Sequence, residues 1–590
     1  MDEAFVFLDD SRPGRAGSRL FTRPVGTVAA YQPGDVVPAL DALARAKAEG
    51  LFAAGYFSYE LGYALEPRLA ELAKARPGLP LLWFGLFRGE AVLSGAEAEA
   101  WLDGNIHGRA YAGPLRLGLT RDTYAQRFDR VRDYILAGDV YQANLTFPAR
   151  FAFAGDPLAL YARLRSRAMA GHGAYVDDGT RRILSFSPEL FFAVRNGIMT
   201  ARPMKGTAPR GANPQDDARI AAGLKASEKD RAENLMIVDL IRNDVGRVAV
   251  TGTVGVENLF AIETYPTVHQ MVSTVRGRLR EDVEPGELVR ALFPCGSITG
   301  APKLRAMEII AELETEPRGL YCGAIGVFAP DGSADFNVAI RTLTIEGDQG
   351  SLGIGGGIVA DSEAGAEYEE CLIKARFFEE ARPPLSLIET LRFDPHQGFV
   401  RGALHLQRLA RSAAAFGFVF DEAAARRALE DAVAATDGPQ RVRLQGNEDG
   451  SFSVSAVPFV PPTQETVWTY RISPHRVQSG DALSRHKTNW RAVYDEERAD
   501  ANRNGCDEVV YLNERGEVVE ASTTNVFVRN EGKLLTPALS CGALDGCLRR
   551  ALIDAGECSE AVLSLLDLEK GETYLGNSLR GLIRATRFGG

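Results

Sequence analysis

The order of hydrophobic and polar residues predicts strands and amphipathic helices in both parts of the chain. Residues 183–186 are strand-like, and residues 232–241 and 367–380 repeat apolar positions at helical spacing. Later in the chain, residues 405–416 show the same helical spacing, and Gly417 follows them as a C-cap. The pattern therefore predicts a mixed α+β protein.

Two consecutive prolines interrupt this pattern. Pro383 and Pro384 end the helical spacing, and a new strand-like stretch follows them at once. A chain of 590 residues also exceeds the size that one hydrophobic core usually organises. We therefore predict a domain of residues 1–380, a linker at residues 381–384 and a second domain of residues 385–590.

Composition narrows the function classes. The chain has 67 basic and 78 acidic residues and a net charge of −11, which argues against nucleic acid as a partner. No apolar run approaches the roughly 20 residues that span a bilayer, and no signal-peptide pattern opens the chain. Seven cysteines without a C-x-x-C pair fit reduced thiols. We expect a cytoplasmic protein without a membrane partner, in which Cys295 is a buried structural thiol.

Two pairs of acidic residues have helical spacing. Asp230 and Glu233 are three residues apart, as are Glu367 and Glu370, so each pair lies on one helical face. Two such faces brought together would offer oxygen ligands that suit Mg²⁺. The alternative is two solvated acidic faces paired with nearby lysines, and spacing alone favours this alternative.

A lysine and a glutamate form a second candidate site. Lys205 lies in the segment PMKGT, sixteen residues after Glu189 in the segment SPELF. Such a pair is either a nucleophile beside a proton donor or a salt bridge, and the salt bridge is the commoner case. The glycine-rich residues 353–357 would let backbone N–H groups approach a small carboxylate, or would form a tight turn.

These motifs occur in the order of a known family. Residues 1–380 closely resemble the chorismate-utilising enzymes, which include anthranilate synthase and aminodeoxychorismate synthase component I. The matching stretches are residues 138–145, 187–191, 203–207, 229–244, 297–303, 321–326, 339–342 and 355–376. The resemblance implies a chorismate-binding αββα sandwich.

The resemblance also implies roles for individual residues. Glu233 and Glu370 would hold Mg²⁺, with Asp230 and Glu367 supporting it through water. The metal would bind the ring carboxylate of chorismate. The contacts to chorismate would be Tyr321 and Arg341 on the enolpyruvyl carboxylate, Gly355 and Gly356 near the ring carboxylate, and Gln142 and Thr207.

Lys205 separates the members of this family. A lysine at this position resembles the aminodeoxychorismate synthases, in which it adds to C2 of chorismate as hydroxide leaves C4 and Glu189 acts as general acid. Ammonia then replaces the lysine by attack at C4, and Gln142 is typical of the ammonia-using members. Since a nucleophile needs a neutral amine, we predict a lowered pKa for Lys205 and a raised pKa for Glu189. Anthranilate synthases have a histidine where this chain has Gln270, so we assign no catalytic role to the adjacent His269.

The second part of the chain offers another candidate lysine. Pyridoxal phosphate chemistry needs a lysine, an acid beside the pyridine nitrogen and donors for the phosphate. Residues 385–590 resemble the fold-type IV pyridoxal phosphate enzymes, which have an α/β fold and include aminotransferases and aminodeoxychorismate lyase. The resemblance assigns Lys487 to the Schiff base, Glu520 to the pyridine nitrogen, and the phosphate to Arg408, Ser522, Thr523 and Thr524. Without the resemblance, a surface lysine and a Ser/Thr-rich turn are the commoner interpretation.

The two implied domains fit consecutive reactions. The first would convert chorismate and ammonia to 4-amino-4-deoxychorismate, and the second would eliminate pyruvate to yield 4-aminobenzoate, a folate precursor. No glutaminase motif occurs in the chain, so a separate glutamine amidotransferase is the expected ammonia source. A homodimer is one state to test, because fold-type IV enzymes often dimerise. The alternatives are 2-amination, as in anthranilate synthase, fused to an aminotransferase, and a silent chorismate-binding regulator.

Overall fold

The computed structural model describes residues 3–12, 17–73, 78–265 and 268–589. The chain divides into two compact units. The first unit consists of Met1–Asn105, Leu115–Phe151 and Tyr161–Ala381, and the second of Ile106–Pro114, Ala152–Leu160 and Arg382–Gly590. The last division lies in the predicted linker, but two segments from residues 1–380 belong to the second unit, which the sequence pattern did not predict.

The first unit is built on two large β-sheets. Neighbouring strands of the first sheet are, in order, Gly300–Ala301, Gln142–Gly155, Gln349–Ile358, Thr342–Glu346, Arg182–Ser187, His172–Asp177, Phe5–Asp9, Ser18–Phe21 and Ala91–Leu93, and Arg116–Leu117 also pairs with Gln142–Gly155. Neighbouring strands of the second sheet are Met204–Pro209, Val268–Arg278, Ile198–Ala201, Leu190–Arg195, Ala334–Val338, Ala324–Phe328, Phe52–Phe57, Leu82–Phe87 and Gly26–Ala30, and Gly255–Thr264 also pairs with Val268–Arg278.

A hydrophobic core fills the space between these sheets. Ile183 of the first sheet and Ile325 of the second belong to the same cluster of buried side chains. On its other face the second sheet packs on helices, as Phe336 shares a buried cluster with Ile237. Burial of both faces explains the predominance of apolar residues in these strands.

Helices also cover the outer face of the first sheet. Phe151 of that sheet meets Phe378 of a helix with ring centroids 4.6 Å apart, and the layers therefore follow the expected helix–sheet–sheet–helix order. The helices that begin within residues 1–380 are Pro33–Ala48, Leu61–Leu65, Gly95–Asn105, Arg121–Leu136, Pro157–Ala168, Pro214–Ala226, Glu228–Gly246, Pro285–Leu292, Lys303–Leu313 and Ala364–Glu379, with short 3-10 turns at Ala70–Leu72 and Gly296–Ile298.

The second unit contains a small and a larger sheet. The small sheet has the strand order Gly398–Phe399, Ser386–Asp394, Gln440–Asn447 and Phe452–Pro458. The larger sheet has the order Val518–Ala521, Glu508–Asn513, Val467–Val477, Gly581–Arg587, Glu572–Asn577, Asn525–Asn530, Lys533–Pro537 and Ser559–Ala561. The helices are Gly402–Phe416, Glu422–Val433, Ala492–Arg503, Cys547–Asp554 and Leu565–Lys570, with 3-10 turns at Ala482–Arg485 and Leu539–Cys541.

The two early segments are integrated into the second unit by pairing and packing. Strand Ala110–Ala112 pairs with Phe153–Gly155. The ring of Tyr111 lies 5.0 Å from the ring of Phe416, and its hydroxyl donates to Glu448. These contacts are non-local, so no pattern within the segments themselves indicates them.

The predicted helices and strands that bear on the sites are confirmed. Residues 183–186 lie in strand Arg182–Ser187, and residues 232–241 lie in helix Glu228–Gly246. Gly417 ends helix Gly402–Phe416 with φ 68°, the left-handed conformation expected of a C-cap. Among the described residues, none of the helices combines the length and apolarity needed to cross a lipid bilayer.

Candidate active sites

Glu189 occupies a buried turn in the first unit. It follows strand Arg182–Ser187, is only 6% exposed, and accepts a hydrogen bond of 2.7 Å from the Ser297 hydroxyl. Burial raises the pKa of Glu189 to about 7, although the Ser297 hydroxyl and the charge of Lys205 oppose this shift. A carboxyl group with this pKa is available as a proton donor near neutral pH.

Lys205 lies on the edge strand Met204–Pro209 beside Glu189. The backbone N–H of Met204 lies near enough to the Glu189 carboxyl group to lower its pKa, which places this strand beside the acid. Burial lowers the pKa of the Lys205 ammonium, while the charges of Glu233 and Glu189 oppose the shift. Both the lowered pKa of Lys205 and the raised pKa of Glu189 have the predicted direction.

The position directly after Lys205 requires a glycine. Gly206 has φ 84°, and a Cβ there would lie 2.9 Å from Oδ1 of Asp230. Asp230 is held in the first turn of helix Glu228–Gly246, where its N–H donates to the Ser227 cap. The strand of Lys205 therefore approaches the acidic face of this helix closely.

The two acidic pairs act on each other electrostatically. Burial raises the pKa of Glu233, and the charges of Asp230 and Glu367 raise it further. Burial likewise raises the pKa of Glu367, with a contribution from Glu370. Because such charge effects fall off with distance, the acids of the two helices lie in the same region of the first unit.

A lysine lies within this acidic cluster. Nζ of Lys374 is 2.8 Å from Oε1 of Glu370 and donates to the Gly355 carbonyl at 2.9 Å. Burial would raise the pKa of Glu370, but the Lys374 ammonium outweighs it and the pKa is lowered. Among the described residues, no three of the four acids bring carboxylate oxygens within 4.8 Å of one another.

The glycine-rich strand Gln349–Ile358 passes close to several predicted site residues. A Cβ at Gly356 would lie 3.2 Å from Oε2 of Glu367. A Cβ at Gly357 would lie 2.5 Å from Nε2 of Gln142. Gln142 is fully buried, and its Oε1 has no hydrogen-bond partner in the described part of the chain. The glycines thus allow side chains from neighbouring elements to approach the backbone.

Arg341 is an unpaired cation. It has φ 48°, and burial lowers the pKa of its guanidinium with no acidic group offsetting the effect. Among the described residues its side chain has no hydrogen bond or ion pair. The ring of Tyr321 covers Gly353 of the glycine-rich strand, where a Cβ would lie 2.1 Å from the ring, and burial raises the pKa of Tyr321 well above its ordinary value.

Thr207 and its neighbours have mainly structural contacts. Thr207 is exposed and accepts a hydrogen bond of 3.3 Å from Gln270 on the neighbouring strand Val268–Arg278. His269 lies 2.8 Å from Asp217 and 2.9 Å from Thr264 through its two ring nitrogens. Both nitrogens are engaged, in agreement with assigning no catalytic role to His269. Cys295 is buried, and burial raises the pKa of its thiol to about 12.

The second unit holds its predicted residues around one cavity of about 320 Å³. Lys487, Glu520 and Arg408 line this cavity. So do Ser522, Thr523 and Thr524. Arg109, from the early segment Ile106–Pro114, lines it as well, and donates to Asp481 and to the Trp490 carbonyl.

Lys487 is fixed by backbone hydrogen bonds to the small sheet. The N–H of Ile388 donates to the Lys487 carbonyl at 2.8 Å, and the next residue, Thr488, forms a bridge with Leu387. Burial lowers the pKa of Lys487 to about 8, and the charges of Arg491 and Arg408 contribute. Such a lysine is neutral in part at pH 7.

Glu520 and Arg408 have contrasting environments. Burial raises the pKa of Glu520 to about 7, and its Oε2 accepts a hydrogen bond from the N–H of Leu544. Arg408 is buried with Glu389, to which it donates at 2.6 Å and 2.9 Å, and it also donates to the Asp545 carbonyl. Nδ1 of His405 donates to the same Glu389 carboxylate at 2.6 Å.

The three hydroxyl residues differ in their contacts. Ser522 donates to the Val509 carbonyl at 3.4 Å, and Thr523 donates to Glu508. Only the Thr524 hydroxyl, among these three, is buried without a hydrogen-bond partner in the described residues. Thr524 is therefore the hydroxyl most available to a bound anion, whereas Thr523 is already bonded to a carboxylate.

The structure also reveals residues that sequence reasoning assigned no role. Ser297 lies in a stretch that resembled the family, but nothing in its local pattern indicates the bond to Glu189. Lys374 is one of the lysines near the acidic pairs, and the sequence offers it only as a surface partner for acids. Arg491 and Arg109 reach the cavity from a helix start and from a distant segment, and spacing along the chain cannot indicate this.

Comparison with known proteins matches both halves of the chain. A family model described as chorismate binding enzyme matches residues 3–380, and one described as amino-transferase class IV matches residues 386–588. The chain is 47% identical over 312 residues to "Aminodeoxychorismate synthase" of Streptomyces griseus, which covers 50% of this chain and 42% of that protein.

Two further relatives cover more of their own length. "Aminodeoxychorismate synthase component 1" of Escherichia coli is 40% identical over 339 residues, which is 55% of this chain and 75% of that protein. The crystal structure of anthranilate synthase component I from Streptococcus pneumoniae has a TM-score of 0.54 and 27% identity, covering 62% of this chain and 92% of that one. The expected resemblance is thereby confirmed: the chain belongs to the chorismate binding enzyme family and carries a class IV aminotransferase domain after it.

Proposed function

We propose that this protein makes 4-aminobenzoate from chorismate in two steps. The first unit aminates chorismate at C4 to give 4-amino-4-deoxychorismate, and the second unit eliminates pyruvate. The observation that carries the proposal is the pair of Lys205 and Glu189. Burial lowers the pKa of Lys205 and raises the pKa of Glu189 to about 7. Relatives named aminodeoxychorismate synthase support the same assignment.

Lys205 and Glu189 would perform the substitution at C4 as a pair. The neutral amine of Lys205 attacks C2, the two conjugated ring double bonds each shift by one bond, and the C4–oxygen bond breaks. Glu189 donates its proton to the departing oxygen, which leaves as water. Ammonia then attacks C4, both double bonds shift back, and the bond between Lys205 and C2 breaks, so that the lysine leaves as a neutral amine.

Chorismate would be oriented through its two carboxylates. Arg341 is a cation without a partner among the described residues, and a guanidinium can donate two parallel hydrogen bonds to one carboxylate. Tyr321 beside it would add a phenolic donor. Gly355, Gly356 and Gln142 would face the remaining part of the substrate, with Thr207 as a further contact.

The four acids fit a divalent cation. Burial raises the pKa values of Glu233 and Glu367, and the charge of Glu367 raises that of Glu233 from the other helix. A bound cation would offset the cost of these buried negative charges. Glu233 and Glu370 would hold Mg²⁺, with Asp230 and Glu367 supporting it through water. When bound, the ion would supply positive charge for the ring carboxylate. Chelation should lower amination of chorismate by at least about 100-fold and leave the second reaction unchanged.

The cavity of the second unit fits pyridoxal phosphate. The partly neutral Lys487, the acid Glu520 and the unpartnered Thr524 hydroxyl are the three groups that the cofactor requires. Arg408 and Ser522 would stand beside the phosphate, with Thr523 in a supporting position. When bound, the cofactor supplies an electron sink for breaking the bond at the carbon that bears the amine. Lys487 would take the C4 proton and return a proton to the departing pyruvate carbon.

The alternative function is 2-amination followed by an aminotransferase reaction. The solved structure of an anthranilate synthase component resembles the first unit, so the fold is compatible with both. Lys205 favours 4-amination, because a lysine that attacks C2 blocks that carbon from the incoming ammonia.

Product analysis tests the proposal directly. The protein is incubated with chorismate, ammonium, Mg²⁺ and pyridoxal phosphate, and the products are separated by chromatography. We expect 4-aminobenzoate from the native protein and accumulated 4-amino-4-deoxychorismate from Lys487→Ala. Formation of 2-aminobenzoate instead would support the alternative and refute the proposal.

Ammonia would come from a separate glutamine amidotransferase. The name "component 1" of the Escherichia coli relative is consistent with a protein that works with another component. All seven cysteines are buried free thiols, which supports a reducing compartment such as the cytoplasm. Adding a purified glutaminase subunit with glutamine should replace ammonium in the assay.

A further inference from the structure

The cavity around Lys487 carries more positive charge than the proposed cofactor contacts require. Its rim includes four arginines that no cofactor contact uses, here called the rim arginines: Arg441, Arg443, Arg498 and Arg580. The first two alternate with buried apolar residues on strand Gln440–Asn447, so their side chains leave the same face of the small sheet.

A buried carboxylate lies close to one of these arginines. Glu508 is fully buried and accepts a hydrogen bond from Thr523, and its Oε1 lies 3.5 Å from Nε of Arg498. Neither that Nε nor Oε2 of Glu508 has a hydrogen-bond partner in the described part of the chain. This carboxylate therefore offsets part of the charge of Arg498 and Arg580.

In the described part of the chain, the other rim arginines form no ion pair. Among the described residues, Arg441 and Arg443 have no side-chain hydrogen bond or ion pair. Arg580 lies over the ring of Trp468 at 5.4 Å. Burial lowers the pKa of Arg580, the positive charges of Arg498 and Arg441 lower it further, and the charge of Glu508 opposes the shift. Like charges held together in a cavity cost free energy, and this cost is relieved when an anion binds between them.

We propose that the rim arginines bind a carboxylate of the substrate whose amine reacts at Lys487. This inference rests on the proposed function, in which the substrate carries a ring carboxylate at the end opposite its C4 amine and a second carboxylate on the enolpyruvyl group. Holding a carboxylate at the rim directs the amine into the cavity toward Lys487. It also selects against amines without a carboxylate, because they would leave the guanidinium groups unpaired.

Two ligands of the same shape and different charge test this subsite. 4-Aminobenzoate and 4-aminobenzamide are titrated into the pyridoxal phosphate-loaded protein, and binding is followed by calorimetry and by cofactor absorbance. We expect the native protein to bind 4-aminobenzoate more tightly by at least about tenfold. Arg580→Gln and Arg441→Gln should each remove most of this preference and leave 4-aminobenzamide binding unchanged.

A matched control excludes a general effect of charge. Arg584 is exposed on strand Gly581–Arg587 and does not line the cavity, so Arg584→Gln should keep the full preference. Arg441 is itself exposed, and its replacement leaves the core packing intact. Circular dichroism of all three variants checks that they fold alike.

Two results would overturn the inference. Rim variants that keep the tenfold preference would show that the arginines do not bind the carboxylate. Rim variants that lose affinity for pyridoxal phosphate, with the preference unchanged, would assign the arginines to the cofactor phosphate. The binding preference is measured without turnover, so a protein that prefers 4-aminobenzoate but forms none from 4-amino-4-deoxychorismate keeps the subsite and refutes the proposed function.

Discussion

Lys205 and Lys487 are both half-buried lysines with a lowered pKa, but the charges around them have opposite signs. Lys205 faces carboxylates, since Glu233 and Glu189 both stabilise its ammonium. Lys487 lies near Arg491 and Arg408, which add to the effect of burial and bring its pKa to about 8. Each unit therefore prepares its lysine in a different way.

The difference determines how each lysine would become neutral, as the proposed reactions require. With a pKa of about 8, roughly a tenth of Lys487 is neutral at pH 7 without any ligand. Lys205 becomes neutral more readily when the negative charges near it are cancelled, either by a proton on Glu189 or by a cation among the acids. The first site is thus assembled by its ligands, whereas the second is prepared by the protein alone.

The largest expected effect is the loss of amination when Lys205 is replaced, which distinguishes a nucleophile from a salt-bridge partner. Lys205→Ala and Lys205→Arg should both lower amination of chorismate by at least about 1,000-fold, because arginine keeps the charge but cannot attack carbon. The rate of 4-amino-4-deoxychorismate formation measures this. Elimination of pyruvate from added 4-amino-4-deoxychorismate should be unchanged in both variants. Substantial activity in Lys205→Arg would support the salt bridge, and Lys205 could then no longer be compared with Lys487 as a nucleophile.

The next prediction concerns the pH dependence of the first reaction. Glu189 must be protonated to act as an acid, and its pKa of about 7 means that this form is lost as pH rises. As far as Glu189 controls it, the rate of amination should therefore be highest below pH 7. It should fall by about tenfold per pH unit well above pH 7, which is the falling limb of the pH profile. The hydroxyl of Ser297 lowers the pKa of Glu189, so Ser297→Ala should move the falling limb to higher pH.

The same profile contains its own check. Measuring kcat for native protein and Ser297→Ala over roughly three pH units resolves the displacement of the limb. A shift to lower pH, or no shift, would mean that another group controls the decline. The elimination reaction of the second unit should have the same profile in both proteins, since Ser297 belongs to the first unit.

A smaller effect tests the cationic environment of Lys487. Arg491→Gln removes a positive charge that lowers the pKa of Lys487, so that pKa should rise, by less than about one unit. The rate at which cofactor-free protein takes up pyridoxal phosphate is measured against pH, and the midpoint of this pH dependence reports the pKa of Lys487. Arg503→Gln, at the far end of helix Ala492–Arg503, is the matched control and should leave the midpoint unchanged. An unaltered midpoint in Arg491→Gln would contradict the contrast between the two lysines.

The smallest effect concerns the backbone that carries Lys205. Gly206→Ala and Gly197→Ala both place a side chain at positive φ, 84° and 72°, which costs about 1–2 kcal/mol of unfolding free energy. Only at Gly206 would the added Cβ also meet Asp230, at 2.9 Å, while Gly197 has open space around it. Denaturant unfolding should show a greater loss for Gly206→Ala, and amination should fall in that variant alone. Equal losses would mean that the contact to Asp230 is relieved without cost.

Much of the fold is predictable from local sequence. The periodicity of residues 232–241 and the Gly417 cap are confirmed because hydrophobic spacing and cap conformation depend on neighbours within a few positions. The two acidic pairs are on helix faces for the same reason. That the two pairs lie in the same region, as the effect of Glu367 on the pKa of Glu233 indicates, depends on packing and could be expected only from the resemblance.

Other parts of both sites could not be predicted from local sequence. The bond from Ser297 to Glu189 joins residues 108 positions apart. The rim arginines come from a strand of the small sheet, a helix and a turn between two strands of the larger sheet. Each looks like an ordinary surface charge in sequence. The segment that carries Arg109 precedes the predicted boundary by hundreds of residues and belongs to the second unit.

By itself, the sequence determined the family, the order of the two domains and the candidate reactive side chains, because these are recorded in residue type and local spacing. The tertiary structure decided which charges surround each lysine, and therefore how each pKa is shifted. It also decided which segments complete the second unit. The physical reason is that Coulomb interactions and desolvation depend on distance in space, and long-range pairing brings together residues that local patterns treat as independent.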